Sequence, residues 1–127
     1  MSEFDVKHHP SEIRYVSAEK CLEITFEDGQ RFSLPAELLR VESPSAEVQG
    51  HGPGQKQIVS GRRHVGIMSI EPVGSYAIKI VFDDLHDTGI FSWDYLYQLG
   101  SERESLWADY LRNLEERGLS RDPPGRS

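Results

Sequence analysis

The sequence predicts an α+β fold, an antiparallel β-sheet meander with a C-terminal amphipathic helix packed on one face. Three observations carry this. Leu22, Ile24 and Phe26 alternate with Cys21, Glu23, Thr25 and Glu27, and Tyr76, Ile78, Ile80 and Phe82 alternate with Ala77, Lys79, Val81 and Asp83; a period of two marks half-buried strands. Asp28-Gly29 stands between the first run and Arg31–Leu34, a turn dipeptide that joins neighbouring strands antiparallel. Beyond Trp93 the period changes: Leu106 with Tyr110, Trp107 with Leu111, and Leu114 beyond them follow the spacing of one helix face. Strands first and a helix last require that helix to bury its stripe against the sheet.

The elements follow in order. Ile13–Val16 opens the meander, and a two-residue turn at Asp28-Gly29 is expected to close its second strand. Pro35 ahead of Ala36–Arg40 starts a short helical turn that ends in Glu42-Ser43-Pro44-Ser45. Gln49–Gln55, with glycines at 50, 52 and 54 and Pro53, has no periodic apolar face. The connection from Ser43 to about Arg62 is thus mobile or functional, with mobility expected for Gln49–Gly61. Ile67–Gly74 reads as a strand closed by a turn, and Gly89–Ser92 as another, giving a sheet of about five or six strands. Trp93–Leu99 and Glu102–Arg117 are helical, with Gly118 as the stop. No internal repeat and no coiled-coil heptad is legible. The domain is expected to span residues 10–118, between a flexible N-terminus (1–9) and a disordered tail (119–127) with two prolines.

With 127 residues and 37% hydrophobic content the chain supplies one core. Fourteen Lys and Arg against twenty-one Asp and Glu give a net charge of −7, which disfavours generic binding to phosphate backbones. The first residues, with acids, His8-His9 and Pro10, hold no apolar signal region. No run approaches the roughly 18 apolar residues of a membrane span. A lone Cys21 suits a reducing compartment. The expectation is a cytoplasmic protein that binds neither nucleic acid nor membrane.

The glycines at 50, 52 and 54 lack the spacing of a phosphate-binding loop, and no Gly-x-Ser-x-Gly elbow is present. His51, Lys56, Arg62, Arg63 and His64 form the one local basic stretch, with no acid between Gly50 and Gly66. It reads as a solvated loop or as a surface for an anion or an acidic partner. Asp83, Asp84, His86 and Asp87 crowd a turn between two strands. Carboxylates with an imidazole suit a divalent metal, but Asp also belongs in turns for its hydrogen bonds to backbone amides. Trp93, Tyr95, Tyr97, Trp107 and Tyr110 read as core packing. No catalytic residue and no cofactor is expected.

The segments Leu38–Glu47, Val65–Ile67, Ile70–Gly74, Tyr76–Ile80 and Phe82–Trp93 contain the stretches Leu-Arg-x-x-Ser-Pro-Ser-Ala-Glu and Thr-Gly-Ile-Phe-Ser-Trp. Across about Pro10 to Leu114 the chain resembles the gamma-butyrobetaine hydroxylase-like N-terminal domain family. The resemblance implies a domain that occurs alone in bacteria, ahead of an iron- and 2-oxoglutarate-dependent catalytic domain in carnitine-pathway hydroxylases, or attached to iron–sulfur carrier ATPases. Iron ligation in those hydroxylases belongs to the catalytic domain, so the resemblance carries no hydroxylase activity over. It also implies a zinc site of the pattern Cys-x-Cys-x-x-Cys with a later His. Ser43, Ser45 and Val48 stand where the thiols would be, and His86 where the histidine would be. A vestigial site without metal is expected, with Ser43 and Ser45 bonding turn amides, Pro44 restricting the turn, and His86 hydrogen-bonded across to them.

The resulting expectation is a non-catalytic module that presents its sheet, or the loop Gln49–His64, to a protein partner, as a monomer or homodimer. A link to iron or iron–sulfur enzymes rests on the resemblance alone. The second reading is a small metal-binding protein or minimal metalloenzyme built on Asp83, Asp84, His86 and Asp87.

Overall fold

The structure, a computed structural model, describes residues 6–50 and 54–123. β1 (Pro10–Val16), β2 (Cys21–Phe26) and β3 (Arg31–Pro35) form one antiparallel sheet; β4 (Ile67–Val73), β5 (Ala77–Phe82) and β6 (Gly89–Ser92) form a second. The helices among the described residues are α1 (Ala36–Val41), α2 (Ala46–Gln49), α3 (Trp93–Ser101) and α4 (Arg103–Glu116). The fold is α+β. Its strands are divided between two three-stranded sheets, not gathered into the single sheet that alternation suggested. Alternation assigns faces to side chains but does not choose a strand's neighbours. Each meander runs from its third strand straight into a helix, so the architecture repeats although the sequence shows no repeat.

Both sheets turn their alternating residues to one core. Leu22, Ile24, Phe26 and Leu34 meet Ile78, Ile80, Phe82 and Phe91, and α1 and α3 add Leu38, Leu39, Trp93, Leu96 and Leu99. Each such side chain, fully withdrawn from water, stabilises the fold by about 1.5–3 kcal/mol. Pro72 is tolerated because β4 is an edge strand with no second partner to serve. Ser92 caps α3, its Oγ accepting the Tyr95 amide at 3.1 Å. α4 lays Leu106 and Trp107 on the main core, while Tyr110 and Leu114 join Val41 in a smaller cluster with Ile58 and Val59.

The β2–β3 turn needs correction, and three segments expected to be flexible make contacts where they are described. The β2–β3 turn runs through three residues, Glu27, Asp28 and Gly29, because Phe26 bonds both the Gly29 amide and the Gln30 carbonyl. The N-terminus is anchored from Val6 onward: Asp94 accepts the Lys7 and His8 amides, and His8 stacks on Tyr97 at 3.6 Å. The tail is held as far as it is described, with Ser120 and Arg121 carbonyls accepting the Gly61 and Arg63 amides at 2.8 and 2.9 Å. The long connection is tethered where it is described. Gln57 donates to the Val48 carbonyl at 2.6 Å, and the Tyr110 hydroxyl donates to Val59 at 2.6 Å. Two partly buried apolar side chains, Ile58 and Val59, pack this segment against the smaller cluster.

Candidate functional site

The β5–β6 hairpin and the segment after α1 meet in a buried polar cluster. Local bonds set the turn: Leu85 donates to the Phe82 carbonyl at 3.0 Å, Phe82 donates to His86 at 3.0 Å, and Asp84 Oδ1 accepts the His86 amide at 3.2 Å. This swings His86 inward, to 9% exposure, and Leu85 outward, to 79%. Leu85 has φ 74°, a left-handed conformation that a leucine adopts at a cost.

Inside, His86 Nε2 lies 3.0 Å from Ser43 Oγ and 3.3 Å from Ser45 Oγ, and Nδ1 lies 3.2 Å from Glu47 Oε2. Glu47 also accepts the Thr88 hydroxyl at 2.8 Å, and Gln49 donates to the Ser43 carbonyl at 2.9 Å. A carboxylate at Nδ1 selects the tautomer with the proton there, leaving Nε2 to accept a serine hydroxyl. Ser43 Oγ accepts the Ser45 amide at 3.4 Å, while Ser45 caps α2 without a side-chain bond. Gly89 makes room, since a Cβ there would stand 2.5 Å from Ser43 Oγ. Burial, then the nearby Arg40 charge, hold the His86 pKa below its ordinary value, against the opposing pull of Glu47, Asp84 and Asp87.

The structure thus brings Ser43, Ser45 and His86 together, with Val48 buried on α2 and its amide bonded to the Ser45 carbonyl at 3.1 Å. Two neutral hydroxyls, one imidazole and an aliphatic side chain do not fit zinc, which wants four donors, mostly thiolate or imidazole. Ser43, His86 and Glu47 follow the order of a nucleophile, base and orienting carboxylate. Ser43 is 0% exposed, so no substrate reaches its hydroxyl. As arranged, the cluster ties the segment after α1 to the β5–β6 hairpin.

Asp83, Asp84, His86 and Asp87 do not converge. Among the described residues no group of three or more His, Cys, Asp or Glu side chains is placed to hold a metal ion. Asp84 Oδ2 instead accepts Arg40 Nε at 2.8 Å and Arg62 Nε at 2.7 Å. Burial opposes its charge, but the bond from Arg40, the His86 amide and the bond from Arg62 outweigh that and hold its pKa below the usual carboxylate range. Arg40 Nη1 is buried without a partner among the described residues.

The basic stretch is spent on internal ion pairs. Lys56 Nζ meets Glu42 Oε1 at 2.7 Å, Arg62 meets Asp84, and Arg63 Nε meets Asp122 Oδ1 at 2.5 Å. His64 is exposed and its carbonyl accepts Lys20 Nζ at 2.6 Å. His51 lies outside the described residues. Lys56 and Arg62 thus tie the connection to the end of α1 and the β5–β6 turn, and Arg63 ties it to the tail. Sequence reasoning missed Glu42 as the partner of Lys56, Glu47 as that of His86 and Arg40 as that of Asp84, the last two residues lying 44 positions apart in the chain.

Of the five exposed large apolar side chains among the described residues, three belong to the second sheet and its turn: Met68 at 63%, Leu85 at 79% and Ile90 at 48%. No described helix is long and apolar enough to cross a membrane.

Comparison with known proteins places this geometry in context. The family model described as gamma-butyrobetaine hydroxylase-like, N-terminal, matches residues 13–97. Two NMR solution structures are similar to the chain at 48% and 45% identity, covering 94% and 97% of it and 94% and 92% of their own lengths, each with a TM-score of 0.81. A crystal structure of a protein of unknown function from Acidithiobacillus ferrooxidans, assigned to the DUF971 family, is 40% identical over 74% of this chain and 94% of its own, with a TM-score of 0.63. No curated protein matches the chain.

Proposed function

Because the chain belongs to the gamma-butyrobetaine hydroxylase-like N-terminal family, we propose that it is a non-catalytic protein-binding module of the cytoplasm, with the second sheet and its β5–β6 turn as the presented face. The observation that carries this reading is Leu85. A leucine held at positive φ and 79% exposed combines a conformational cost with an unburied apolar side chain. Local rules broken twice at one surface position point to a function there. Ile90 and Met68 extend the apolar character on the same sheet.

The tethered loop Gln49–His64 is a weaker candidate for the presented surface, because Lys56, Arg62 and Arg63 already hold carboxylates of this chain. A connection with iron or iron–sulfur enzymes is the direction in which family membership points. Leu85→Asn tests the module reading, since asparagine tolerates the left-handed conformation while removing the apolar surface. Partners captured by the native chain should be lost with Leu85→Asn at a melting temperature no lower than that of the native chain. Identical capture by both would exclude this face. Metal analysis of protein purified without a histidine tag tests the metal reading separately: stoichiometric zinc lost on His86→Ala would restore it.

A further inference from the structure

A second surface, sharing no residue with the Leu85 face, lies between α1 and α4. Its groove encloses about 660 Å³ and is lined on its apolar side by Pro35, Leu38, Trp107, Ala108 and Leu111. At its end the carboxylate of Glu37, a residue only 6% exposed, receives Arg121 through both oxygens: Nη2 to Oε1 at 2.7 Å and Nε to Oε2 at 2.9 Å. The same guanidinium lies over the Trp107 ring, 5.0 Å from its centroid. A buried carboxylate that offers two oxygens to a planar fork, beside an aromatic face, selects arginine over lysine.

The seat is larger than its occupant. Among the described residues Arg121 is the one from the tail that lines the groove, and Leu111 is 39% exposed there. The tail is otherwise held by two backbone bonds to Gly61 and Arg63 and by the exposed Arg63–Asp122 pair. Chain ends held this lightly open readily. We propose that the groove recognises an arginine of a second protein flanked by apolar side chains, and that Arg121 is an intramolecular stand-in which this arginine displaces. The tail of a second copy would bring the polar Ser120 and Asp122 as the residues flanking its arginine, not apolar ones.

The test uses the full-length chain and a fluorescent peptide with one arginine between leucines, with a citrulline peptide as its neutral counterpart. Arg121→Ala should bind the arginine peptide roughly tenfold more tightly than the native chain, with a change in Trp107 fluorescence, and should not bind the citrulline peptide. Glu37→Gln or Trp107→Leu in that background should abolish binding. Equal affinity for the two peptides, equal affinity of native chain and variant, or no binding would overturn the proposal. So would equally tight binding of a peptide with the tail's own sequence, which would reassign the groove to a second copy. If Arg121→Ala does not fold, Arg121→Lys, which keeps the charge but lacks the fork, is expected to gain affinity in the same direction.

Discussion

The β2–β3 and β5–β6 hairpins follow one backbone plan. In each, a phenylalanine carbonyl accepts the amide three residues on, at 3.0 Å, and its own amide donates four residues on, Phe26 to Gln30 at 2.8 Å and Phe82 to His86 at 3.0 Å. In each, an aspartate bonds the amide two residues later, Asp28 at 2.9 Å and Asp84 at 3.2 Å. What differs is the use made of three positions. The first hairpin has an exposed Asp28, Gly29 at φ 92° and an exposed Gln30. The second has Asp84 between two arginines, Leu85 at φ 74° and a buried His86. The first turn reverses the chain and takes one surface bond, from the Tyr97 hydroxyl to Asp28. The second also clamps the long connection through Arg62, holds α1 through Arg40, and exposes a leucine.

The largest contrast lies in the aspartates. Asp84→Ala strands Arg40, whose side chain is 10% exposed, without its carboxylate. Breaking a buried pair costs more, but the partial exposure of Asp84 and Arg62 screens this one, so the expected loss is about 2–3 kcal/mol in urea unfolding. Asp28→Ala removes an exposed bond to Tyr97 and a turn bond, and should lose much less. Equal losses would show that the arginines contribute nothing beyond the turn.

The left-handed positions sharpen the comparison in both directions. A Cβ on Gly29 would meet nothing within 4 Å, so Gly29→Ala tests conformation alone and should destabilise by about 1 kcal/mol. Leu85→Gly relieves the same penalty with little burial lost, while freeing the unfolded chain, for a net gain of up to about 1 kcal/mol. Thermal unfolding of both variants reads the signs. A destabilised Leu85→Gly would mean that the leucine is held by packing and is not strained for display.

What the sequence made legible follows from the range of each signal. Alternation at Cys21–Phe26 and Ala77–Phe82 is local and placed the core faces correctly, as the helical spacing placed Tyr110 and Leu114. Pairing between distant elements left no local trace, so one sheet was expected where two exist. Arg40–Asp84 and Glu37–Arg121 join residues far apart in the chain, and a prolyl, charged tail gives no hint that Arg121 has a buried carboxylate waiting. The nearness of Ser43 and Ser45 to His86 was suggested by family resemblance; periodicity offered no sign of it. Glu47, which completes that cluster, was suggested by neither.

The smallest expected effect, and the one most specific to the second hairpin, is its pH dependence. His86 has a folded-state pKa below the ordinary 6.5, because burial and Arg40 disfavour the imidazolium. As pH falls through 6.5, the unfolded chain takes up this proton before the folded one does, so stability drops. The loss levels off once pH passes below the folded pKa. Protonation would also convert Nε2 from acceptor to donor, so the Ser43 and Ser45 hydroxyls at 3.0 and 3.3 Å would have to reorient. Glu47, Asp84 and Asp87 pull the other way and keep the effect modest. His86→Gln puts at this position the residue that Gln30 supplies in the first hairpin, an amide that bonds the serines without titrating. Urea midpoints measured from neutral pH down to just above the carboxylate range should fall for the native chain more than for His86→Gln, the other histidines cancelling in the difference. Parallel curves for the two proteins would mean that Glu47 and the aspartates offset burial fully, leaving the hairpins alike in this respect.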